Sequence, residues 1–184
     1  MKTKDIAIIA LFAALTAVGS LIKIPLGFTP VPITLQVFFV LFAGLILGPV
    51  RGALALLAYL VIGAVGIPVF AGGTGGFQAI VGPSGGYLYG FVIAAFVVGL
   101  VARSIKGDRT VVLAGSAFLA CIAGVLVIYV FGAGHMMLTM SLSPAKAFAL
   151  GVAPFIPVDF AKAVVVTIIY VGIAQRGVLK AVEA

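Results

Sequence analysis

The chain alternates between long apolar stretches and short segments that contain Pro, Gly or a charged side chain. No Asp, Glu, Lys, Arg or His occurs between positions 24 and 50, or between positions 52 and 102. Uninterrupted apolar runs of this length are typical of helices that cross a bilayer. The pattern predicts helices at 5–22, 33–47, 51–67, 86–103, 111–131 and 156–175. We therefore expect an all-α integral membrane protein in which residues 1–184 form a single domain of six transmembrane helices.

The second of these segments is short, because Pro32 precedes it and Gly48 and Pro49 follow it. A helix of roughly fifteen residues is about 23 Å long, which is less than the hydrocarbon core of a bilayer. Non-helical backbone at membrane depth is tolerated where protein covers it or a cavity receives it. We therefore expect the loop before this helix to dip into the membrane.

Three predicted connections, at 23–32, 68–85 and 132–155, are apolar and rich in Gly and Pro. Loops longer than a dozen residues usually carry function or disorder, and these are too hydrophobic to be disordered. We expect structured external loops that pack as a lid over the ends of the helices.

Composition supports the membrane interpretation, since 64% of the residues are hydrophobic and 8% are charged. The net charge of +7 does not indicate nucleic-acid binding, because the basic residues never form a stripe interleaved with aromatic side chains. Six crossings divide the Lys and Arg residues unequally between the two sides of the membrane. The larger set is Lys2, Lys4, Arg51, Arg103, Lys106, Arg109, Arg176 and Lys180, and the smaller set is Lys23, Lys146 and Lys162. This excess of positive charge predicts that both termini are cytoplasmic.

Little in the sequence indicates catalysis. The one histidine, His135, lies in the predicted loop 132–155, and the one cysteine, Cys121, lies inside an apolar segment. A histidine without a partner makes neither a general base nor a metal site, so we expect His135 to be structural or solvated. No Walker A motif is present, so an ATP-driven step would require another protein. We expect neither an enzyme nor a cofactor or metal site.

Asp159 and Lys162 form the most informative polar pair. Pro157 fits the first turn of the last predicted helix, where its missing N–H has no consequence. Asp159 and Lys162 then lie three residues apart on one helix face, near the level of the lid. The pair could be a simple ion pair with Lys162 extending outward, but ionisable residues inside membrane spans usually face a cavity and serve function. We favour the functional interpretation.

Uncharged groups extend this candidate site. Thr34 and Gln36 place hydrogen-bonding groups at the mouth of the short second helix, although a glutamine there could also bond a neighbouring helix. Glycine clusters between positions 70 and 87 allow tight turns or expose backbone groups to a pocket, and we include Gly73 in the site. Three aromatic side chains of this stretch would supply flat apolar walls for a small ring compound, namely Phe70, Phe77 and Tyr87.

Small residues recur on the first predicted helix. Ala10 and Ala14 are spaced by four, as are Ala13 and Ala17, so each pair lies along one stripe. Such a stripe allows close helix approach, either within the protein or against a membrane partner. The sequence leaves both possibilities open.

Several of these segments resemble one known family. They are residues 30–36 (PVPITLQ), 45–54 (LILGPVRGAL), 66–73 (GIPVFAGG), 82–88 (GPSGGYL) and 154–162 (PFIPVDFAK). In this order they are similar to the BioY family, the biotin-binding substrate-capture (S) components of energy-coupling factor (ECF) transporters. The resemblance extends over nearly the whole chain.

The resemblance implies a prokaryotic cell-membrane protein with six helices, cytoplasmic termini and an external-facing site closed by loops. It implies a membrane scaffold subunit and two cytoplasmic ATPases as partners. It also implies that Ala10 and Ala14 form the docking surface, and that Asp159 and Lys162 belong to the biotin site. The alternatives are an S component for a different vitamin and a stand-alone small-molecule transporter.

Overall fold

A computed structural model describes residues 2–105 and 109–176, and this part of the chain is mostly helical. Two of the basic residues assigned to the cytoplasmic side, Lys106 and Lys180, lie outside the described residues. The elements are α1 (Thr3–Leu21), β1 (Lys23–Ile24), β2 (Ile33–Thr34), α2 (Gln36–Ala64), α3 (Phe77–Val81), α4 (Gly85–Ser104), α5 (Thr110–Thr139), α6 (Pro144–Gly151) and α7 (Ile156–Gln175). Five of these helices, namely α1, α2, α4, α5 and α7, are long and apolar enough to cross a membrane.

Helix α2 accounts for the difference between these five helices and the six predicted segments. Its backbone leaves the helical conformation at Gly48, where φ is 78° and ψ is −175°. A Cβ atom on Gly52 would lie 3.2 Å from the Cα of Gly44, whereas eight residues of continuous helix rise about 12 Å. The chain therefore reverses at Gly48, and α2 is a hairpin of two helical arms. The predicted segments 33–47 and 51–67 correspond to these two arms, but the helix begins later than predicted, at Gln36 after β2, and ends earlier, at Ala64.

The backbone conformation at this reversal favours glycine. A positive φ of 78° is unfavourable for residues with a Cβ atom. The guanidinium group of Arg103 also lies against Gly48, in the space that a Cβ atom would occupy. The reversal defines two ends of the helical bundle, which we name the Gly48 end and the Gln36 end.

Helix α1 runs between these two ends. Near its start, the Asp5 carboxylate pairs with Arg51 just beyond the reversal, and the Nη1–Oδ1 distance is 2.8 Å. Near its other terminus, the Gly19 carbonyl accepts a hydrogen bond of 3.1 Å from the Leu35 N–H. Helix α1 therefore starts at the Gly48 end and finishes at the Gln36 end.

Helix α5 is longer than predicted. The predicted segment stops at residue 131, but the helix continues to Thr139, so the predicted loop 132–155 is wrong over residues 132–139. Gly132 does not form a turn, because it lies against the ring of Tyr87 on α4 and leaves room for that ring. His135, which we expected in this loop, is therefore a helical residue, and its Nε2 atom lies 3.0 Å from the Gly82 carbonyl oxygen.

The helices approach one another closely at small residues. A Cβ atom on Gly44 of α2 would lie 2.6 Å from the Cβ atom of Val98 on α4, and Gly99 lies directly against Pro49. Such contacts are typical of helices that pack in membranes, where small residues allow backbones to approach. Large apolar side chains such as Leu138 cover the outside of the bundle, which suits a lipid environment.

Candidate ligand-binding site

A cavity of about 270 Å³ lies at the Gln36 end of the bundle. This volume is near the lower limit of typical small-molecule pockets. Four long helices and the loops after α1 and α2 contribute to its lining. The lining residues are Lys23, Pro30, Val31, Pro32, Thr34, Gln36, Val37, Phe70, Ala71, Thr74, Ala79, Ser84, Tyr87, Leu88, Phe91, Ile128, Tyr129, Phe155, Asp159 and Lys162.

The first turn of α7 places an ion pair in this cavity. Pro157 occupies the start of the helix as predicted, and Asp159 and Lys162 follow on one face. The Lys162 Nζ atom lies 2.7 Å from Asp159 Oδ1, and the two side chains are only 11% and 4% exposed. The Tyr129 hydroxyl of α5 donates a hydrogen bond of 2.9 Å to the other carboxylate oxygen, Oδ2. Asp159 is therefore held from two helices.

A second polar group lies at the start of α2. The Thr34 hydroxyl donates a hydrogen bond of 2.9 Å to the Gln36 side-chain oxygen. The Gln36 amide nitrogen donates in turn to the Tyr59 hydroxyl at 2.6 Å. Tyr59 donates to the Val69 carbonyl oxygen at 3.0 Å, which connects both arms of the α2 hairpin to the loop that follows them. The reversal at Gly48 makes this contact possible, because Gln36 and Tyr59 are 23 residues apart in sequence.

These polar groups satisfy one another and still have capacity for a ligand. Among residues 2–105 and 109–176, no buried side-chain nitrogen or oxygen lacks a hydrogen-bond partner. A carboxylate accepts about four hydrogen bonds, and Asp159 accepts one at each oxygen from Lys162 and Tyr129. The Lys162 ammonium group and the Gln36 amide each retain N–H donors that these contacts do not use. The cavity therefore presents an anionic acceptor beside N–H donors.

Aromatic and aliphatic side chains form the remaining walls. Phe70 is buried against the backbone of Gly63, where a Cβ atom would overlap its ring, and it meets Tyr59 edge to face at a centroid distance of 5.5 Å. The Tyr87 hydroxyl donates a hydrogen bond of 2.7 Å to the Gly151 carbonyl oxygen at the end of α6. Apolar walls with a few convergent polar groups are the usual composition of a small-molecule site.

The structure brings six of the eight predicted site residues to the cavity and leaves two outside it. Those that line it are Thr34, Gln36, Phe70, Tyr87, Asp159 and Lys162. Phe77 is 68% exposed because it begins α3, a helix with no buried residue. Gly73 lies in the turn between Phe70 and Thr74 and does not line the cavity. We therefore place Phe77 and Gly73 outside the cavity.

The sequence did not indicate that two tyrosines belong to the hydrogen-bonded groups of this site. Tyr129 and Tyr59 lie in the apolar segments of α5 and α2, far in sequence from their partners Asp159 and Gln36. A tyrosine within a membrane span requires a partner for its hydroxyl, and this was the available signal. The partner itself could not be predicted without the fold.

Two further predictions concern the small residues of α1 and metal binding. Ala10 and Ala14 are exposed on α1, whereas Ala13 is buried inside the bundle. Within the described residues, no three His, Cys, Asp or Glu side chains lie close enough together to hold a metal ion.

Comparison with known proteins identifies relatives over nearly the whole chain. Residues 1–178 match the model of the BioY family. The chain is 47% identical to the probable biotin transporter BioY of Pyrococcus horikoshii, over 92% of this chain and 95% of that protein. It is 42% identical to the biotin transporter BioY of Rhizobium etli, over 92% of each chain. A crystal structure of the S-component for biotin from an ECF-type ABC transporter superposes with a TM-score of 0.85, at 28% identity over 95% of both chains. The chain belongs to the BioY family.

Proposed function

We propose that this chain is a membrane-embedded biotin-binding protein and the substrate-capture subunit of an ATP-driven ECF transporter. The relatives named as biotin transporters support this proposal, as does the superposition on the S-component for biotin. The observation that carries it is the cavity at the Gln36 end, where Asp159 and Lys162 of α7 meet Gln36 of α2. Membership of a family of transport proteins also argues against an enzyme.

Biotin fits the chemistry of this cavity. Its ureido group has two N–H donors and a carbonyl acceptor, and its fused rings are apolar. In our proposal, Asp159 accepts a hydrogen bond from a ureido N–H, while Lys162 and Gln36 donate to the ureido carbonyl. A cavity of this kind favours biotin over analogues without the ureido group, because only a ureido group uses the spare acceptor capacity of Asp159 and the spare N–H donors of Lys162 and Gln36.

We further propose that the chain crosses a prokaryotic cell membrane six times, with both termini in the cytoplasm. The two arms of the α2 hairpin supply two of these crossings. The first arm spans only about 18 Å from Gln36 to Leu47 by helical rise, so its outer end lies within the membrane. The Gly48 end then faces the cytoplasm, which agrees with the greater number of Lys and Arg residues on that side. The Gln36 end and its loops face the exterior.

The proposed partners are a transmembrane scaffold subunit and two cytoplasmic ATPases. The absence of a Walker A sequence in the chain supports a separate motor. Ala10 and Ala14 lie exposed on α1 and form the small-residue stripe that we assign to scaffold contact. Replacing both with Trp should abolish co-purification with the scaffold and leave biotin binding unchanged.

The proposal is tested by titrating the purified chain in detergent with biotin by calorimetry, with thiamine and riboflavin as controls. Tight one-to-one binding of biotin alone is the expected result. Binding of another vitamin would instead identify an S component of different specificity. Uptake into proteoliposomes that contain this chain without ATPases would identify a stand-alone transporter.

A further inference from the structure

The charges that line the cavity do not balance. Within the described part of the chain, its charged lining side chains are Lys23, Asp159 and Lys162, which carry a net charge of +1. Asp159 and Lys162 neutralise each other at 2.7 Å. The surplus positive charge therefore belongs to Lys23, which is exposed and lies at the mouth.

The short sheet directs Lys23 toward the cavity. Lys23 of β1 is the antiparallel partner of Thr34 of β2. Side chains directly opposite each other in such a pair lie on the same face. The Thr34 side chain lines the cavity beside Gln36, so the Lys23 side chain starts from the same face and extends to the rim.

The Lys23 side chain lies against the loop after α2. A Cβ atom on Gly72 would lie 2.6 Å from Lys23 Nζ and 3.1 Å from its Cδ, so the lysine side chain lies directly on this glycine. Gly72 has a positive φ of 79°, and its N–H points to the Ser20 carbonyl oxygen at 3.5 Å. The Lys23 ammonium is therefore positioned at the rim between the end of α1 and the loop of Phe70.

We propose that Lys23 is an anion subsite that pairs with the carboxylate of the ligand and thereby sets the ligand's orientation. This inference rests on the proposed biotin-binding function and specifies how the same site recognises a carboxylate. The ureido ring system lies at the Asp159 side of the cavity, and the acyl chain extends toward the rim. In the opposite orientation the ligand carboxylate would meet Lys162, whose charge Asp159 already neutralises at 2.7 Å, and would lie beside the like-charged Asp159.

The subsite also implies a salt-dependent contribution to binding. Lys23 is exposed, so its attraction for a carboxylate is screened by added salt, whereas the buried Asp159–Lys162 pair is screened much less. Burying a ligand carboxylate without a cation would be costly, and the rim lets it remain partly in water beside a positive charge.

The test uses two ligands and three variants of the full chain in detergent. The ligands are biotin and biotinamide, in which an uncharged carboxamide replaces the carboxylate. The variants are Lys23→Gln, the charge-conserving Lys23→Arg, and Lys146→Gln as a control. Lys146 is an exposed lysine on α6 that does not line the cavity.

We expect the wild-type chain to bind biotin about fivefold more tightly than biotinamide, the upper range for an exposed ion pair. Lys23→Gln should remove this preference by weakening biotin alone, whereas Lys23→Arg and Lys146→Gln should retain it. Retained biotinamide binding shows that the Lys23→Gln variant is folded. Equal weakening of both ligands, or no change in either, would overturn the assignment of Lys23. Failure of the wild-type chain to bind biotin would overturn the proposed function itself.

Discussion

Two ion pairs lie at opposite ends of the bundle, and they differ in burial rather than in distance. Asp159 and Lys162 at the Gln36 end are 2.7 Å apart, with side chains 4% and 11% exposed. Asp5 and Arg51 at the Gly48 end are 2.8 Å apart, with side chains 21% and 23% exposed. The first pair lies on one helix and faces a cavity, and the second joins α1 to the α2 hairpin.

The difference shows why only one of these pairs indicates a binding site. Removing two charges from water is costly, and a buried pair contributes little net stability compared with apolar residues of similar size. A partly exposed pair avoids most of that cost and can act as a simple link between helices. Asp159 and Lys162 are therefore better explained by ligand recognition than by stability.

The largest effect is expected when the whole buried polar group is replaced by apolar residues. The triple variant Asp159→Leu, Tyr129→Phe, Lys162→Met should lose biotin affinity by about 100-fold or more, the scale of two lost charge-assisted hydrogen bonds. Its melting temperature should equal or exceed that of the wild type, because apolar replacement of a buried pair is often neutral or stabilising. Calorimetry and thermal unfolding measure the two quantities. Biotin binding within tenfold of the wild type would remove this group from the site.

The single substitution Asp159→Asn should weaken biotin binding by about tenfold or more, the scale of one lost charge-assisted hydrogen bond. Its melting temperature should fall, in contrast to that of the triple variant, because the Lys162 ammonium group stays buried without its counter-charge. Unchanged biotin affinity in the calorimetric titration would show that Asp159 does not contact the ligand.

A smaller effect is expected from Tyr129→Phe, which removes one of the two hydrogen bonds that orient the Asp159 carboxylate. We expect biotin affinity to fall about threefold to tenfold, the range for one lost hydrogen bond to a charged group with partial compensation. Tyr89→Phe is the matched control, because Tyr89 packs on Phe131 and His135 and does not line the cavity. Equal losses in both variants would point to a general effect of losing a tyrosine hydroxyl.

The smallest effect is expected at the Gly48 end. Asp5→Asn removes the charge that pairs with Arg51 while its side chain keeps an oxygen near the Lys2 N–H. Biotin affinity should stay at the wild-type value, and the melting temperature should fall only slightly. A loss of affinity comparable with that of Asp159→Asn would contradict the division of the bundle into a binding end and a structural end.

Local sequence patterns predicted much of this arrangement. Pro157 followed by Asp159 and Lys162 specified a helix start and a pair on one face, and both features are confirmed. Gly48 and Pro49 marked the end of a short apolar segment, and the structure places the chain reversal there. In each case the governing interactions lie within a few residues of sequence.

Features that depend on distant contacts could not be predicted in this way. The predicted helix stopped before Gly132, but Gly132 leaves room for the Tyr87 ring and α5 continues past it. Phe77 was expected in the site because it belongs to the same glycine-rich stretch as Phe70, yet its side chain is largely exposed and does not line the cavity. The second donor to Asp159, after Lys162, is Tyr129, which only the packing of α5 against α7 brings near.

The mutual pairing of the cavity's polar groups has a consequence for release of the cargo. Asp159 retains bonds from Lys162 and Tyr129, and Gln36 retains bonds to Thr34 and Tyr59, without help from a ligand. When the ligand leaves, Asp159 and Gln36 therefore keep their hydrogen-bond partners. The free energy of the unloaded protein is not raised by an unpaired charge or amide. The empty site is therefore already hydrogen-bonded and does not need an incoming ligand to keep its polar groups paired.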